Sequence, residues 1–165
     1  MRCRSDDSVP IRSATLSDVP QMLHLERQAA VAAHWSLEQY EALFLPDAPP
    51  RITLVATGDS SESLVLGFLV SICIADEWEV ESVVVDESAR RRGIGSALLR
   101  DLVDRAMAEG AEALILEVRE SNTAARQLYE KTGFIQESRR ADYYQGPLEH
   151  AVLYRLPLQS CDKIP

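Results

Sequence analysis

Residues 83–96 read Val83-Val-Val-Asp-Glu-Ser-Ala-Arg-Arg-Arg-Gly-Ile-Gly-Ser96. An apolar strand pattern ends at Val85, three arginines follow, and Gly93 and Gly95 open a helical pattern. Glycine lets backbone N–H groups approach a ligand without a Cβ in the way, and a helix N-terminus adds unpaired donors and the positive end of a dipole. The stretch therefore predicts an anion site on a strand-turn-helix unit. The alternative at this point is a plain turn with a solvated basic face.

Hydrophobic periodicity extends this unit in both directions. Before it, we predict strands at residues 9–14, 52–57, 64–75 and 78–86, with helices beginning near Ser17 or Asp18 and at Ser36. After it, we predict a helix from Gly95 to Gly110, a strand at 113–118, a helix capped by Asn122, and strands at 134–144 and 150–156. This order predicts a mixed α/β (α+β) fold, neither a pure Rossmann alternation nor an all-β sandwich.

Length and composition are those of an ordinary globular protein. Hydrophobic residues make up 46% and charged residues 26% of the 165 residues, and a chain of this length buries a single core. We expect one domain over residues 1–165, with its core at about 9–157 and a frayed tail at 158–165.

Charge and cysteine content narrow the classes of partner. The net charge of −9 and the pI near 4.8 disfavour a nucleic-acid partner. The chain lacks an apolar run of roughly 18 residues, so we expect no membrane span, and the start of the sequence predicts no signal peptide. The three scattered cysteines (Cys3, Cys73 and Cys161) predict no disulfide framework. These features fit a cytoplasmic protein.

The pattern Arg90-x-x-Gly93-x-Gly95 resembles the acetyl-CoA pyrophosphate loop of the GNAT superfamily. A P-loop would need Gly-Lys-Ser/Thr, and a dinucleotide fingerprint would need a third glycine in an early βαβ unit. The resemblance implies the GNAT fold, with a twisted, mostly antiparallel sheet of about six or seven strands and about four helices.

The downstream stretch strengthens this resemblance. It reads Leu116-Glu-Val-Arg-Glu-Ser-Asn-Thr-Ala-Ala-Arg-Gln-Leu-Tyr-Glu-Lys-Thr-Gly-Phe134 and resembles the ribosomal-protein-alanine N-acetyltransferases of that superfamily. The likeness covers about residues 80–156, and the segment from Ala33 to Ser36 echoes it more weakly. This chain departs from the subgroup at Ser82, where asparagine is usual, and at His150, where an acidic residue is usual.

The resemblance implies acetyl-CoA as the cofactor, and CoA as its product. The oxyanion donor should be a main-chain N–H of Val83 or Val84, and the pantetheine arm should bond to the main chain of Val83 and Val85. The cofactor-binding residues would be Val83, Val84, Val85, Arg90, Arg91, Arg92, Gly93, Ile94, Gly95, Ser96, Asn122 and Tyr129.

Three residues are candidates for the acid–base chemistry. Glu117 lies inside an otherwise apolar strand, where a carboxylate is costly unless it is paired or useful, and it is our candidate base. Glu81 is the reserve base; Glu79 shares its face by strand alternation, so the choice between these two stays open. Tyr129 is the candidate general acid, because the resemblance places a tyrosine in this Leu-Tyr context; packing on a helix is the alternative.

The acceptor is an amine, and the sequence leaves its kind open. Candidate acceptor-binding residues are Trp35, Glu81, Tyr143 and Tyr144. The first hypothesis is the N-terminal α-amine of a protein; the others are a small amine such as a polyamine, amino acid or aminoglycoside, and a non-catalytic acyl-CoA-binding module. We expect no metal, because the histidines show no ligand spacing. The protein could be a monomer or a homodimer.

Overall fold

The computed structural model describes residues 9–29, 34–58 and 61–158, with the backbone alone at 61–63. The elements along the chain are β1 (Ile11–Ser13), α1 (Val19–Gln28), α2 (Leu37–Ala42), β2 (Arg51–Gly58), β3 (Ser61–Ile74), β4 (Glu77–Val85), α3 (Ile94–Ala108), β5 (Ala113–Arg119), α4 (Thr123–Lys131), β6 (Ile135–Gln145) and β7 (Leu148–Pro157). Short 3-10 turns at Leu16–Asp18 and Glu87–Ala89 precede α1 and α3.

The strands form one sheet whose order is β1-β2-β3-β4-β5-β7-β6. Among the described strands, β4 and β5 are the one parallel pair, and every other neighbouring pair is antiparallel. This confirms the predicted mixed α/β fold, its element order and its mostly antiparallel sheet.

Helices cover both faces of the sheet and produce two cores. One core joins the apolar face of α3 and Tyr129 of α4 to β4 and β5. The other joins α1 and Tyr40 of α2 to β2, β3 and Val84. The loop before α3 contributes the buried Ala89 to the first core.

The pairing of β3 with β4 contains an irregularity that changes which face of β4 meets each core. The register passes from Val80 to Ser82 on β4 while β3 advances by one residue, so Glu81 is the extra residue of a bulge. An extra residue reverses the alternation of the side chains beyond it. Val80 and Val83, three residues apart, therefore contact the same core.

Beyond the bulge, β4 and β5 separate. Their register runs from Glu77 and Ala113 to Val80 and Leu116 and then stops. Both strands continue, β4 to Val85 and β5 on to its last residue, and β5 stays paired with β7. The result is a wedge-shaped opening in the middle of the sheet, which we call the β4–β5 opening.

The predicted helix boundaries have identifiable local causes. The Ser36 hydroxyl accepts from the Gln39 N–H at 3.3 Å and forms a capping box. The Asn122 side chain caps α4 by accepting from the Ala125 N–H at 3.2 Å. Gly133 follows α4 with φ +97°, the left-handed stop expected there.

The predicted tail begins too early. Leu158 is buried and its N–H donates to the Glu112 carbonyl at 2.8 Å, so Leu158 belongs to the folded unit. A backbone hydrogen bond and apolar burial next to β7 hold it. The remainder of the predicted tail, Cys3, Cys161 and Ala33 lie outside the described residues.

A glycine on β3 sets how closely the sheet approaches the start of α3. A Cβ on Gly67 would lie 2.9 Å from the Val84 carbonyl oxygen and 3.2 Å from Cγ2 of Ile94. We predict that Gly67→Ala lowers the free energy of unfolding by about 1–3 kcal/mol, as overpacked cores do.

Chemical denaturation of Gly67→Ala beside Gly146→Ala measures this effect. A Cβ on Gly146 would meet no atom within 4 Å, so that variant controls for the loss of glycine itself. Equal midpoints for the two variants would contradict the prediction.

Candidate active site

The loop between β4 and α3 presents main-chain donors at one end of the opening. Gly93 has φ +79° and ends the loop, and α3 begins at Ile94 without a side-chain cap. The first turn of a helix has N–H groups without intrahelical partners. Gly95 is buried and Ser96 half-buried beside it. This end of α3 therefore offers an anion an uncapped set of donors and the positive end of a 15-residue helix dipole.

The three arginines lie on this loop with exposed side chains. Arg91 has φ +62°, a left-handed conformation uncommon for a residue with a side chain. The Arg90 Nε donates to the Val85 carbonyl at 3.4 Å, which ties the loop back to β4. The structure thus brings Arg90–Arg92 to the same place as the helix N-terminus, as the anion-site interpretation requires.

Strand alternation determines which β4 main-chain groups face the opening. The Asp86 N–H donates to the Leu66 carbonyl of β3 at 2.9 Å. The N–H and C=O of Val84, two residues earlier, point the same way, toward β3. Those of Val83 and Val85 point toward the opening. Of the two predicted oxyanion donors, Val83 is therefore the one with a suitably directed N–H.

Tyr129 lies on α4 and is 8% exposed. Its ring packs 5.8 Å from Phe134 and 6.2 Å from Tyr154, and among the described residues no group hydrogen-bonds its hydroxyl. Burial, with a smaller contribution from Tyr144, raises the pKa of Tyr129 to about 12. The phenol is therefore protonated at neutral pH and has a proton to donate.

Helix α4 is packed directly on the start of α3. A Cβ on Gly95 would lie 2.8 Å from Cδ2 of Leu128, the residue before Tyr129. The small size of Gly95 therefore lets α4 pack closely on the start of α3, next to Tyr129. Asn122, a predicted cofactor contact, uses its side-chain oxygen to cap the same helix.

Three glutamates lie on the opposite side of β4 and β5 from Tyr129. Glu79 and Glu81 belong to β4, and Glu117 to β5. Arg51 pairs with Glu81 at 3.0 Å, and Arg140 pairs with Glu117 at 2.6 Å. Among the described residues, no cation forms an ion pair with Glu79. The site therefore holds two neutralised carboxylates and one that is available.

The environment of Glu79 favours its neutral form. Burial first, then the charge of Glu117 and then that of Glu81 raise the pKa of Glu79, and Arg140 opposes them. Glu79 and Glu117 are therefore close enough for their charges to interact. A carboxylate with a raised pKa is a stronger proton acceptor than an exposed one.

The β6–β7 hairpin brings two tyrosines to the Glu117 side of the opening. Tyr143 lies close enough to Glu117 for a hydrogen-bonding interaction with that carboxylate, and then its charge, to raise the pKa of Tyr143. Tyr144 lies edge to face with Tyr143 at 5.2 Å, under the Arg119 guanidinium at 4.1 Å. The predicted acceptor residues Tyr143 and Tyr144 thus lie together beside the predicted base.

Trp35, which precedes α2, packs against the second core. Its main-chain N–H donates to the Glu26 Oε2 at 2.9 Å, and the centre of its ring lies 5.4 Å from that of Tyr40. Glu26 is fully buried, and burial raises its pKa. Within the described ranges, no hydrogen bond or ring contact joins Trp35 to the three glutamates, so its acceptor role stays a prediction.

Sequence reasoning missed the arginines that organise the site. Arg51 lies 30 residues before Glu81, and Arg140 lies 23 residues after Glu117. No local motif marks either residue, because strand pairing alone brings them near the glutamates. Each ion pair spans an intervening strand, β3 for Arg51 and Glu81 and β7 for Arg140 and Glu117, so both the strand order and the register are needed to find it.

The described residues lack two classes of feature. No group of three or more histidine, cysteine, aspartate or glutamate side chains there is arranged to hold a metal ion. None of the described helices has both the length and the apolarity to cross a membrane.

Comparison with known proteins places this site in a family. Residues 19–134 match the Acetyltransferase (GNAT) family. The [ribosomal protein bS18]-alanine N-acetyltransferase of Escherichia coli K12 is 33% identical over 150 residues, which cover 90% of this chain and 97% of that protein. The corresponding Salmonella typhimurium enzyme is 34% identical over 155 residues, covering 92% and 98%.

Solved structures of other proteins share this fold. The crystal structure of the Escherichia coli ribosomal-protein-S18-alanine N-acetyltransferase has a TM-score of 0.80 and 29% identity, covering 94% of this chain and 97% of that one. Arabidopsis thaliana NAA60 shares the fold with a TM-score of 0.83 at 16% identity, covering 93% and 99%. The sequence match, the shared fold and the glycine-arginine loop lead to the same conclusion, that this chain belongs to the GNAT family of N-acetyltransferases.

Proposed function

We propose that this enzyme transfers the acetyl group of acetyl-CoA to the N-terminal α-amine of a protein, and that an alanine-ended ribosomal protein is its substrate. One observation carries the proposal. At one end of the β4–β5 opening lies the loop of residues 86–93 with the uncapped start of α3, which we call the anion loop; the buried phenol of Tyr129 lies on one side and the available carboxylate of Glu79 on the other. The relatives named as bS18-alanine N-acetyltransferases support the choice of acceptor. Such a substrate would be met in the cytoplasm.

The residues of the opening fit acetyl-CoA, which supplies an activated acetyl thioester. The N-terminus of α3 and Arg90–Arg92 would hold its pyrophosphate. The main-chain groups of Val83 and Val85 would bond the pantetheine arm. The Val83 N–H would stabilise negative charge on the thioester oxygen, as main-chain donors do in acyl transfer. No metal is needed for these roles.

We assign proton acceptance to the Glu79–Glu117 pair. An α-amine has an ordinary pKa of about 8, so taking its proton is a modest task near neutral pH. Glu117, the base predicted from sequence, is paired with Arg140 and lies near Tyr143. Glu79 is coupled to it by charge and has no ion pair within the described residues. The charge of Glu117 helps to raise the pKa of Glu79, so both residues contribute, while Glu81 and Arg51 neutralise each other beside them.

Tyr129 is the proton donor to the departing thiolate in this scheme. Its raised pKa keeps the proton on the phenol until it is needed. It lies on the helix that packs against the start of α3, so its position is linked to that of the bound cofactor. In this scheme the amine attacks the thioester carbonyl directly, which requires cofactor and acceptor to be bound together.

A thiol-release assay with acetyl-CoA tests the function. The acceptors are peptides ending in alanine or serine, the same peptides with blocked N-termini, and small amines that include a polyamine and an amino acid. The proposal expects turnover on the free alanine-ended peptide and none on the blocked one. Turnover on small amines alone would move the acceptor to that class. Tight CoA binding with no turnover on any acceptor would favour a binding module.

We predict that Tyr129→Phe lowers kcat by about 10²–10⁴-fold, the usual contribution of a general acid, while CoA affinity in calorimetry changes little. Tyr154→Phe is the matched control, because Tyr154 is also buried and its hydroxyl bonds Glu130 at 2.6 Å. A kcat that falls equally in both variants would assign Tyr129 to packing.

We predict that Glu117→Gln moves the acidic limb of the kcat/KM profile to lower pH. The charge of Glu117 raises the pKa of Glu79; removing that charge lets Glu79 ionise more readily, so its pKa falls. Burial still acts on Glu79, so part of the elevation remains. Glu79→Gln should lower kcat/KM by about 10²-fold or more.

The exposed Glu137→Gln on β6 is the control for both glutamate variants. An acidic limb that stays in place in Glu117→Gln would show that Glu79 does not govern it. Full activity in Glu79→Gln would leave Glu117 as the sole base.

A further inference from the structure

The hairpin that carries Tyr143 contains a bulge with one residue of β7 opposite three of β6. Arg140 pairs with Ala151 and Tyr144 pairs with Glu149, so residues 141–143 face His150 alone. A regular β-ladder cannot provide hydrogen-bond partners for three residues of β6 from one residue of β7. The bulge therefore needs another source of hydrogen bonds.

His150 supplies that bond with its side chain. Its carbonyl accepts from the Glu120 N–H at 3.1 Å, so its main chain is directed toward β5. Its Nδ1 accepts from the Asp142 N–H at 3.0 Å. Asp142 has φ +53°, a left-handed conformation that costs free energy in a residue with a Cβ. The imidazole thus holds the most strained residue of the bulge.

The bulge fixes both partners of Glu117. Arg140, just before it, pairs with Glu117 at 2.6 Å. Tyr143, inside it, lies close enough to the same carboxylate for Glu117 to raise its pKa. A change in the path of residues 141–143 would move at least one of these groups relative to Glu117.

We propose that His150 is a positioning residue for the acceptor side of the site, acting through its neutral ring to hold the 141–143 bulge and thereby the partners of Glu117. The role in acceptor use rests on the proposed function; the hydrogen bond itself does not. An Nδ1 that accepts from an N–H carries no proton. Protonation of His150 therefore removes the bond to Asp142.

Charged groups around His150 determine what replaces the bond. On β6, the Asp142 carboxylate lies 3.6 Å from Nδ1. Glu120, which follows β5, interacts with His150 by charge and is held by Arg139. Glu149 on β7 is held by Arg119. A protonated ring can therefore turn to the Asp142 carboxylate, which keeps the hairpin attached while the Asp142 N–H loses its acceptor.

The test compares wild type with His150→Asn and His150→Ala over pH 5.5 to 8.5, roughly the range in which imidazoles titrate. An asparagine Oδ1 stands near the position of Nδ1 and accepts a bond at every pH. We expect the wild-type kcat/KM for the peptide to fall, relative to His150→Asn, by roughly 2- to 10-fold at low pH, the effect of one hydrogen bond.

His150→Ala should show that loss at every pH, while the KM for acetyl-CoA stays the same in all three proteins. The ratio to His150→Asn cancels the titration of the amine and of the glutamates. Melting temperatures check that each variant is folded. A wild-type profile that parallels His150→Asn, or an alanine variant as active as the asparagine variant, would overturn the proposal.

A second readout does not depend on turnover. In ¹⁵N NMR of the wild type, the Asp142 amide should titrate together with the His150 ring, and in His150→Asn it should not. Faster hydrogen exchange of that amide is expected in His150→Ala. If no acceptor is turned over but the amide titrates as expected, the proposed function fails and the hydrogen bond stands. An amide that ignores the ring contradicts the inference directly.

Discussion

The bulge at Glu81 is the constraint on which the rest of the site depends. One extra residue in β4 ends its pairing with β5 at Val80, because the altered path no longer keeps the two backbones at hydrogen-bonding distance. The main-chain groups of Val83 and Val85 are then left facing an opening in the middle of a sheet. Buried backbone groups need partners, and an extended ligand that supplies them satisfies this requirement.

The same bulge determines which side chains of β4 lie on each face of the sheet. Because alternation reverses at the extra residue, Val83 joins the core that holds Tyr129, while Glu79 and Glu81 remain on the opposite face. A protonated phenol and a set of carboxylates thus lie on either side of one opening. Arg51 and Arg140 neutralise two of the carboxylates. Glu79 has no such partner among the described residues, and burial first, then the charges of Glu117 and Glu81, raise its pKa.

Local signals in the sequence were sufficient to predict the helices and strands and to single out the anion loop as a candidate site. A left-handed stop at Gly133 and a cap at Asn122 are consequences of residue type within a few positions. The β4–β5 opening and the Arg140–Glu117 pair depend instead on register between distant strands, which periodicity does not encode. Sequence reasoning could therefore name Glu117 and Glu81 as candidates and left the choice between Glu81 and Glu79 open, because only the register shows that Arg51 reaches Glu81.

The two halves of the site are held by different kinds of interaction. The cofactor side rests on backbone geometry: the ladder of β3 and β4, the left-handed Gly93, and the close contact of Gly95 with Leu128. The acceptor side rests on side-chain bonds from the exposed strand β6. Backbone geometry tolerates most side-chain changes, whereas a site built from side-chain bonds changes with each substitution. Acceptor preference can therefore vary among chains of this fold while the cofactor loop stays the same.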